Sequence, residues 1–146
     1  MATADHYLGN PNLKKVGTEI NFTQEQIQEY LKCKEDPVYF AMNYIKIISL
    51  DEGIVPFKMW DFQQELIEKF HKHRFNIAKL PRQTGKSTTC VSYLLHYVLF
   101  NDNVNVGILA NKLSTARDLL GRLQLAYEQL PQWMQQGIVV YNKGSM

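Results

Sequence analysis

Residues 76–88, with the sequence NIAKLPRQTGKST, constrain the fold of this 146-residue chain more than any other stretch. A short apolar run at 76–80 precedes a turn, the triplet Gly85-Lys86-Ser87 and a helical pattern that continues over residues 89–100. A strand, a phosphate-binding loop and a helix follow one another in this order in nucleotide-binding proteins. The stretch therefore predicts a phosphate-binding loop that connects a buried strand to a helix.

The residue types of this loop suit an anion. The first N–H groups of a helix have no intrahelical partner and carry the positive end of the helix dipole. Gly85 lets the backbone approach a phosphate, Lys86 can reach the β and γ phosphates, and the Ser87 hydroxyl can join the shell of a magnesium ion. Leu80 stands where the full motif has its first glycine, so a polar turn between a strand and a helix is the alternative.

Composition is that of a globular protein with a net charge of only +2. No stretch approaches the ~18 apolar residues of a membrane span, so an intracellular protein is expected. Cys33 and Cys90 lie in no metal-binding or redox pattern, and neither a disulfide nor zinc is expected. The basic run at 69–74 is either a solvated helix end or a DNA contact.

The first 58 residues predict a small helical region. Residues 1–20 are polar and aperiodic and are expected to form a flexible arm. Thr23 and Gln26 predict a capping box that opens a helix to about residue 34, and Asp36-Pro37 predicts the start of a second helix. The apolar runs 45–50 and 54–57 predict a β-hairpin with its proline at an edge.

The next helix, predicted from Asp61 as its cap to about residue 73, begins with a possible base-binding pair. The Phe62 ring can pack on adenine, and the Gln63 amide can donate to N7 and accept from the N6 amino group. The alternative is that Phe62 is a core residue and Gln63 a solvated helix residue.

Beyond the loop helix the pattern is strand 104–110, helix 114–130 and strand 138–141. This order predicts an α/β fold: a P-loop NTPase of the ASCE/RecA-like type, with a parallel sheet flanked by helices, behind the small helical N-terminal region. Residues 59–146 are then the first part of the ATPase domain, after the arm 1–20 and the region 21–58. Since none of Asp102, Asp118 and Glu128 ends an apolar strand, the catalytic acids are expected beyond Met146, and the fold is expected to be incomplete.

Several motifs together resemble one family. The loop Pro81-Arg82-Gln83-Thr84-Gly85-Lys86-Ser87-Thr88 resembles the variant phosphate loop of the large terminase subunit of tailed bacteriophages, closest to the myovirus type. Similar in the same order are Asp61-Phe62-Gln63, Gly107-Ile108-Leu109-Ala110, and the stretch from Leu130-Pro131 through Gly137-Ile138-Val139 to Asn142-Lys143-Gly144-Ser145. The resemblance covers about residues 20 to 145.

The resemblance implies an ATP-driven motor that moves double-stranded viral DNA through the portal into a procapsid. Lys86 and Ser87 would bind phosphate and Mg²⁺, and Phe62 and Gln63 would bind adenine. Arg82 would act on the γ-phosphate, and Arg82 and Lys86 together would be the catalytic residues. The loop residues implied in ATP binding are Pro81, Arg82, Gln83, Thr84, Gly85, Lys86, Ser87 and Thr88.

The same resemblance implies partners and a location. They are the portal protein, the small terminase subunit and further copies of the chain in a ring, in the cytoplasm of the infected bacterium, docked transiently on the procapsid and absent from the mature virion. The family's nuclease domain and its acidic magnesium-binding strand have no counterpart in these residues. A superfamily-two helicase or translocase fragment, and a nucleotide-binding remnant without turnover, are the alternatives; such helicases usually keep a small residue where this chain has Leu80.

Overall fold

The computed structural model describes residues 5–49 and 51–146. This part of the chain is mostly helical, with one two-stranded antiparallel sheet. After a 3₁₀ turn at Tyr7–Gly9 the elements are α1 (Gln24–Glu35), α2 (Pro37–Tyr44), β1 (Lys46–Ser49), β2 (Gly53–Pro56), α3 (Asp61–Lys72), α4 (Lys86–Phe100) and α5 (Leu113–Glu128). Among these described elements, no helix has both the length and the apolar character needed to cross a bilayer.

The predicted P-loop NTPase fold, a parallel sheet flanked by helices, is wrong. Residues 76–80 and 104–110 form no strand, and of 138–141 only Ile138 makes an isolated parallel bridge, to Lys15. A strand is stable only when a neighbouring strand takes its hydrogen bonds and covers its side chains. Here Ile77 and Leu109 are 101% and 92% exposed. The apolar residues of these runs are therefore not buried, as a strand in a parallel sheet would require.

The helices predicted from local capping signals are confirmed. The Thr23 hydroxyl accepts from the Gln26 N–H at 3.2 Å, and the Gln26 side chain accepts from the Thr23 N–H at 3.0 Å, which completes the capping box of α1. Asp36 Oδ1 accepts from the N–H groups of Val38 and Tyr39, both at 2.9 Å, at the start of α2. These contacts span two or three residues, so the sequence alone determines them.

The β-hairpin is also confirmed. Strands β1 and β2 pair in antiparallel register, with Ile47 opposite Val55, and Pro56 lies at the end of the ladder opposite Lys46. Residue 50, the last of the predicted first run, lies outside the described part of the chain. Among the described residues the hairpin pairs with no third strand and forms a two-stranded sheet of its own.

Helix α4 is central to the core and packs against α2, α3 and α5. Its Leu95 is fully buried, together with Phe40 of α2 and Ile67 of α3. The Phe40 ring lies edge-on to the Phe100 ring with centroids 5.5 Å apart, a favourable aromatic geometry. Burial on three sides fixes the position of α4, and with it the end of the loop that precedes it.

The described part of the N-terminal arm, residues 5–20, lies against the segment that follows α5. Leu13 is buried in the core. The Gln135 side chain accepts from the Lys14 N–H and donates to the Asn12 carbonyl, at 3.0 and 2.9 Å. Residues 1–4 of the arm lie outside the described residues.

Candidate functional site: the loop before α4

The loop formed by residues 81–88 ends in a sharp turn at the start of α4. Gly85 is the N-cap residue of α4 with φ 71° and ψ 10°, in the left-handed region that favours glycine. Gln83 also has a positive φ of 63°. Such a value is uncommon for a residue with a side chain and marks a tightly curved backbone. The curvature brings the loop back towards its own beginning.

The Pro81 carbonyl connects the two ends of this loop. It accepts hydrogen bonds from Lys86 Nζ at 3.0 Å and from Thr84 Oγ1 at 3.1 Å. The Lys86 side chain therefore folds back over the loop instead of extending into solvent. This places a positive charge over the same few residues whose backbone enters the helix.

The backbone N–H groups of residues 83–88 are available to an anion. Within residues 5–49 and 51–146, no protein acceptor receives a hydrogen bond from them. The first intrahelical bond of α4 runs from the Thr89 N–H to the Gly85 carbonyl at 3.0 Å. Free N–H groups at a helix start, with an ammonium group beside them, form the chemical setting that phosphates prefer.

The Gln63 side chain touches this loop from α3. It is only 4% exposed, and its amide oxygen accepts from the Trp60 N–H at 3.0 Å. Its amide nitrogen donates to the Thr84 carbonyl at 3.0 Å. Gln63 therefore lies beside the loop, with an acceptor and a donor already engaged by the protein. Its role in reading adenine stays a prediction.

The start of α3 differs from the sequence prediction in one detail. The cap is Trp60 and not Asp61, because the Gln63 side chain satisfies the Trp60 N–H. The exposed Trp60 ring lies 5.6 Å from that of Phe62, centroid to centroid, at the start of the helix that carries Gln63.

The remaining predicted loop residues are exposed or partly buried. Arg82 and Gln83 are exposed, and Ser87 and Thr88 are partly buried on the first turn of α4. Arg82 makes no hydrogen bond or ion pair with the described residues. Its guanidinium is therefore free to meet a ligand, while its action on a γ-phosphate stays a prediction.

The described residues contain no group of three or more His, Cys, Asp or Glu side chains that could hold a metal ion. Of the acids after the loop, Glu128 accepts from the Tyr141 hydroxyl at 2.5 Å. The one Mg²⁺ ligand that the sequence predicts, Ser87, lies on the first turn of α4 next to the loop.

The basic run 69–74 at the end of α3 is partly neutralised. Lys69 pairs with Glu65 at 2.6 Å and Lys72 with Glu68 at 3.3 Å, each one helical turn apart. Such exposed pairs are ordinary features of a solvated helix. A DNA contact at this run stays a prediction.

His96 of α4 is a buried polar residue that the sequence reasoning missed. Its Nε2 donates to the Cys33 carbonyl of α1 at 2.9 Å, and its Nδ1 is buried with no partner among the described residues. Burial lowers its pKa from 6.5 to about 4, because a proton on Nδ1 would be desolvated. His96 is therefore neutral and ties α1 to the helix that carries the loop.

Both cysteines are free thiols. Burial raises the pKa of Cys33 to about 12, so this thiol stays protonated and packs as a small apolar group.

No known protein-family model matches the chain.

Proposed function

We propose that residues 81–88 bind the phosphates of ATP with Mg²⁺, and that the chain belongs to the ATPase motor of a terminase large subunit. One observation carries the first part. The left-handed Gly85 N-cap, the free N–H groups of residues 83–88 and the Lys86 ammonium lie together at the start of α4. Backbone donors and one cation in this arrangement suit a polyphosphate.

The residues present fit the ligand. Gly85 has a φ of 71°, which favours glycine, and a Cβ there would displace the Gln63 amide from the loop. Lys86 already points at a loop oxygen, the Pro81 carbonyl, and a phosphate oxygen is a more strongly charged acceptor for the same ammonium. Ser87 supplies a hydroxyl for Mg²⁺, which, when bound, neutralises charge on the β and γ phosphates.

Arg82 is the proposed group that acts on the γ-phosphate. It is exposed, lies four residues before Lys86 and has no partner in the described part of the chain that would hold it away from a ligand. A positive group that stabilises the transferring phosphoryl contributes about 10³ to 10⁵ in rate in favourable cases. Arg82→Ala should therefore affect turnover by the parent protein more than it affects nucleotide binding.

The motor assignment rests on the resemblance of the motifs and not on the fold. It includes double-stranded viral DNA as substrate, the portal and the small terminase subunit as partners, and self-association into a ring at the procapsid in the host cytoplasm. Hydrolysis, DNA translocation and cleavage of the DNA concatemer are proposed for a full-length parent protein that also supplies the acidic residues and the nuclease domain.

The loop assignment is tested by nucleotide binding to the purified chain. Mg·ATP should bind in isothermal titration calorimetry, and Lys86→Ala should weaken binding at least about tenfold, because a charge-assisted contact is worth about 1.5–3 kcal/mol. Lys79→Ala is the matched control, since Lys79 is an exposed lysine outside the loop. Equal affinity of the wild type and the Lys86 variant would refute the assignment.

A second measurement separates the motor from a binding remnant. Lys86→Ala in the full-length protein should abolish ATP-dependent DNA packaging. Packaging at the wild-type rate by that variant would refute the motor assignment even if the loop binds ATP.

A further inference from the structure

We propose that Gln63 is a positioning residue that holds the Thr84–Gly85 peptide of the phosphate loop and does not select the adenine base. This inference rests on the proposed function, because it concerns how the same loop binds phosphate. It starts from the contact between the Gln63 amide nitrogen and the Thr84 carbonyl, 3.0 Å apart and 21 residues apart in sequence.

The first step is the use that the protein already makes of this amide. The oxygen accepts from the Trp60 N–H and the nitrogen donates to the Thr84 carbonyl, while the whole residue is 4% exposed. A side chain that reads adenine must present both a donor and an acceptor to the base edge. To read adenine, Gln63 would have to release the Trp60 N–H and the Thr84 carbonyl and give up two hydrogen bonds that the protein already makes.

The second step is the effect of the contact on the loop. A peptide group is planar and trans, so its carbonyl and its N–H point in opposite directions. When the Thr84 carbonyl is held towards α3, the N–H of Gly85 in the same peptide group is held away from α3. Gln63 thereby fixes the direction of one of the free N–H groups that a phosphate would accept.

The third step is the close approach at Gly85. A Cβ at this position would lie 2.5 Å from Gln63 Nε2, much closer than any real contact. The Gln63 amide therefore lies directly against the space that a side chain at position 85 would occupy. A side chain at position 85 would displace the Gln63 amide, and the φ of 71° also favours glycine there.

A positioning role has a distinct energetic signature. The phosphate chain is common to ATP, GTP and inorganic tripolyphosphate, whereas the adenine edge occurs only in ATP. If Gln63 acts through the loop, its loss weakens all three ligands by the same factor. If it reads the base, the loss weakens ATP alone.

The test uses Gln63→Glu, which keeps the size of the side chain and its acceptor for Trp60 but cannot donate to Thr84 when ionised. Gln64→Glu, the same substitution one residue along α3, is the matched control. We expect Gln63→Glu and the uncharged Gln63→Met to weaken the binding of Mg·ATP, Mg·GTP and tripolyphosphate in titration calorimetry, about tenfold each for Gln63→Met, with an unchanged ATP-to-GTP ratio. The Met variant decides, because the carboxylate of Gln63→Glu would itself repel all three anions. A lower ratio with unchanged tripolyphosphate affinity, or no change for any ligand, would overturn the inference.

A measurement without nucleotide keeps the inference separate from the proposed function. In ¹H–¹⁵N spectra of the ligand-free chain, Gln63→Glu should shift the Gly85 amide resonance, and Gln64→Glu should leave it in place. If the wild type binds none of the three ligands, the proposed function fails while this readout still decides the role of Gln63. Should the glutamate variant not fold, Gln63→Met removes the donor without adding charge, and an unshifted Gly85 resonance in that variant would refute the contact.

Discussion

Replacing Gly85 by alanine should destabilise the chain by about 2–3 kcal/mol. A non-glycine residue in the left-handed region costs about 1–2 kcal/mol, and Gly85 has φ 71°. The new Cβ would also meet Gln63 Nε2 at 2.5 Å and force the amide away from the Thr84 carbonyl. The loss of that hydrogen bond adds about 1 kcal/mol.

Urea unfolding measures this cost as a lower midpoint at unchanged slope. The matched control is Gly121→Ala, because Gly121 lies in the middle of α5 and a Cβ there meets nothing within 4 Å. That substitution should stabilise the chain by up to about 1 kcal/mol, since alanine favours a helix more than glycine does. The two variants should therefore shift the midpoint in opposite directions, and a Gly85→Ala midpoint at or above that of the wild type would refute the reasoning.

Three further outcomes follow from the helices. Asp36→Ala should cost about 1 kcal/mol in urea unfolding by removing the cap of α2, while Asp36→Asn should retain most of that stability; equal losses would refute the capping role. Leu95→Ala should cost about 3 kcal/mol in the same assay, because it empties a fully buried position in α4, and a cost below about 1 kcal/mol would contradict its burial. The unfolded chain protonates His96 near pH 6.5 and the folded chain only near pH 4. The free energy of unfolding should therefore decrease as the pH is lowered, by about 2 kcal/mol between pH 7 and pH 5. His96→Gln should remove this pH dependence, and an unchanged pH dependence in that variant would refute the role of His96.

The parts of the fold that were predictable depend on short-range contacts. The capping box of α1, the Asp36 cap and the hairpin each involve partners a few residues apart, so the residue types alone determine them. The sheet was not predictable in this way. Whether an apolar run such as 76–80 or 104–110 becomes a strand depends on a neighbour that local sequence does not specify.

In the candidate site too, the local features could be predicted from the sequence and the long-range contacts could not. The order of Gly85, Lys86 and Ser87 at a helix start could be predicted, because the motif is local. The contact of Gln63 with Thr84 and that of His96 with Cys33 join residues 21 and 63 positions apart, and no periodicity in the sequence indicates them. The sequence therefore proposed Gln63 as a site residue but did not indicate the group that it contacts.

The absence of a strand over residues 76–80 changes how the loop at residues 81–88 is held. In a parallel sheet, the strand before the loop is positioned by its neighbours, but here residues 76–80 form no strand and Ile77 is fully exposed. Two helices replace that support: Gln63 of α3 holds the Thr84 carbonyl, and Thr89 of α4 donates to the Gly85 carbonyl through its N–H and, at 3.2 Å, through its hydroxyl. Because adjacent carbonyls are held by different helices, the direction of the N–H groups between them depends on how α3 packs against α4.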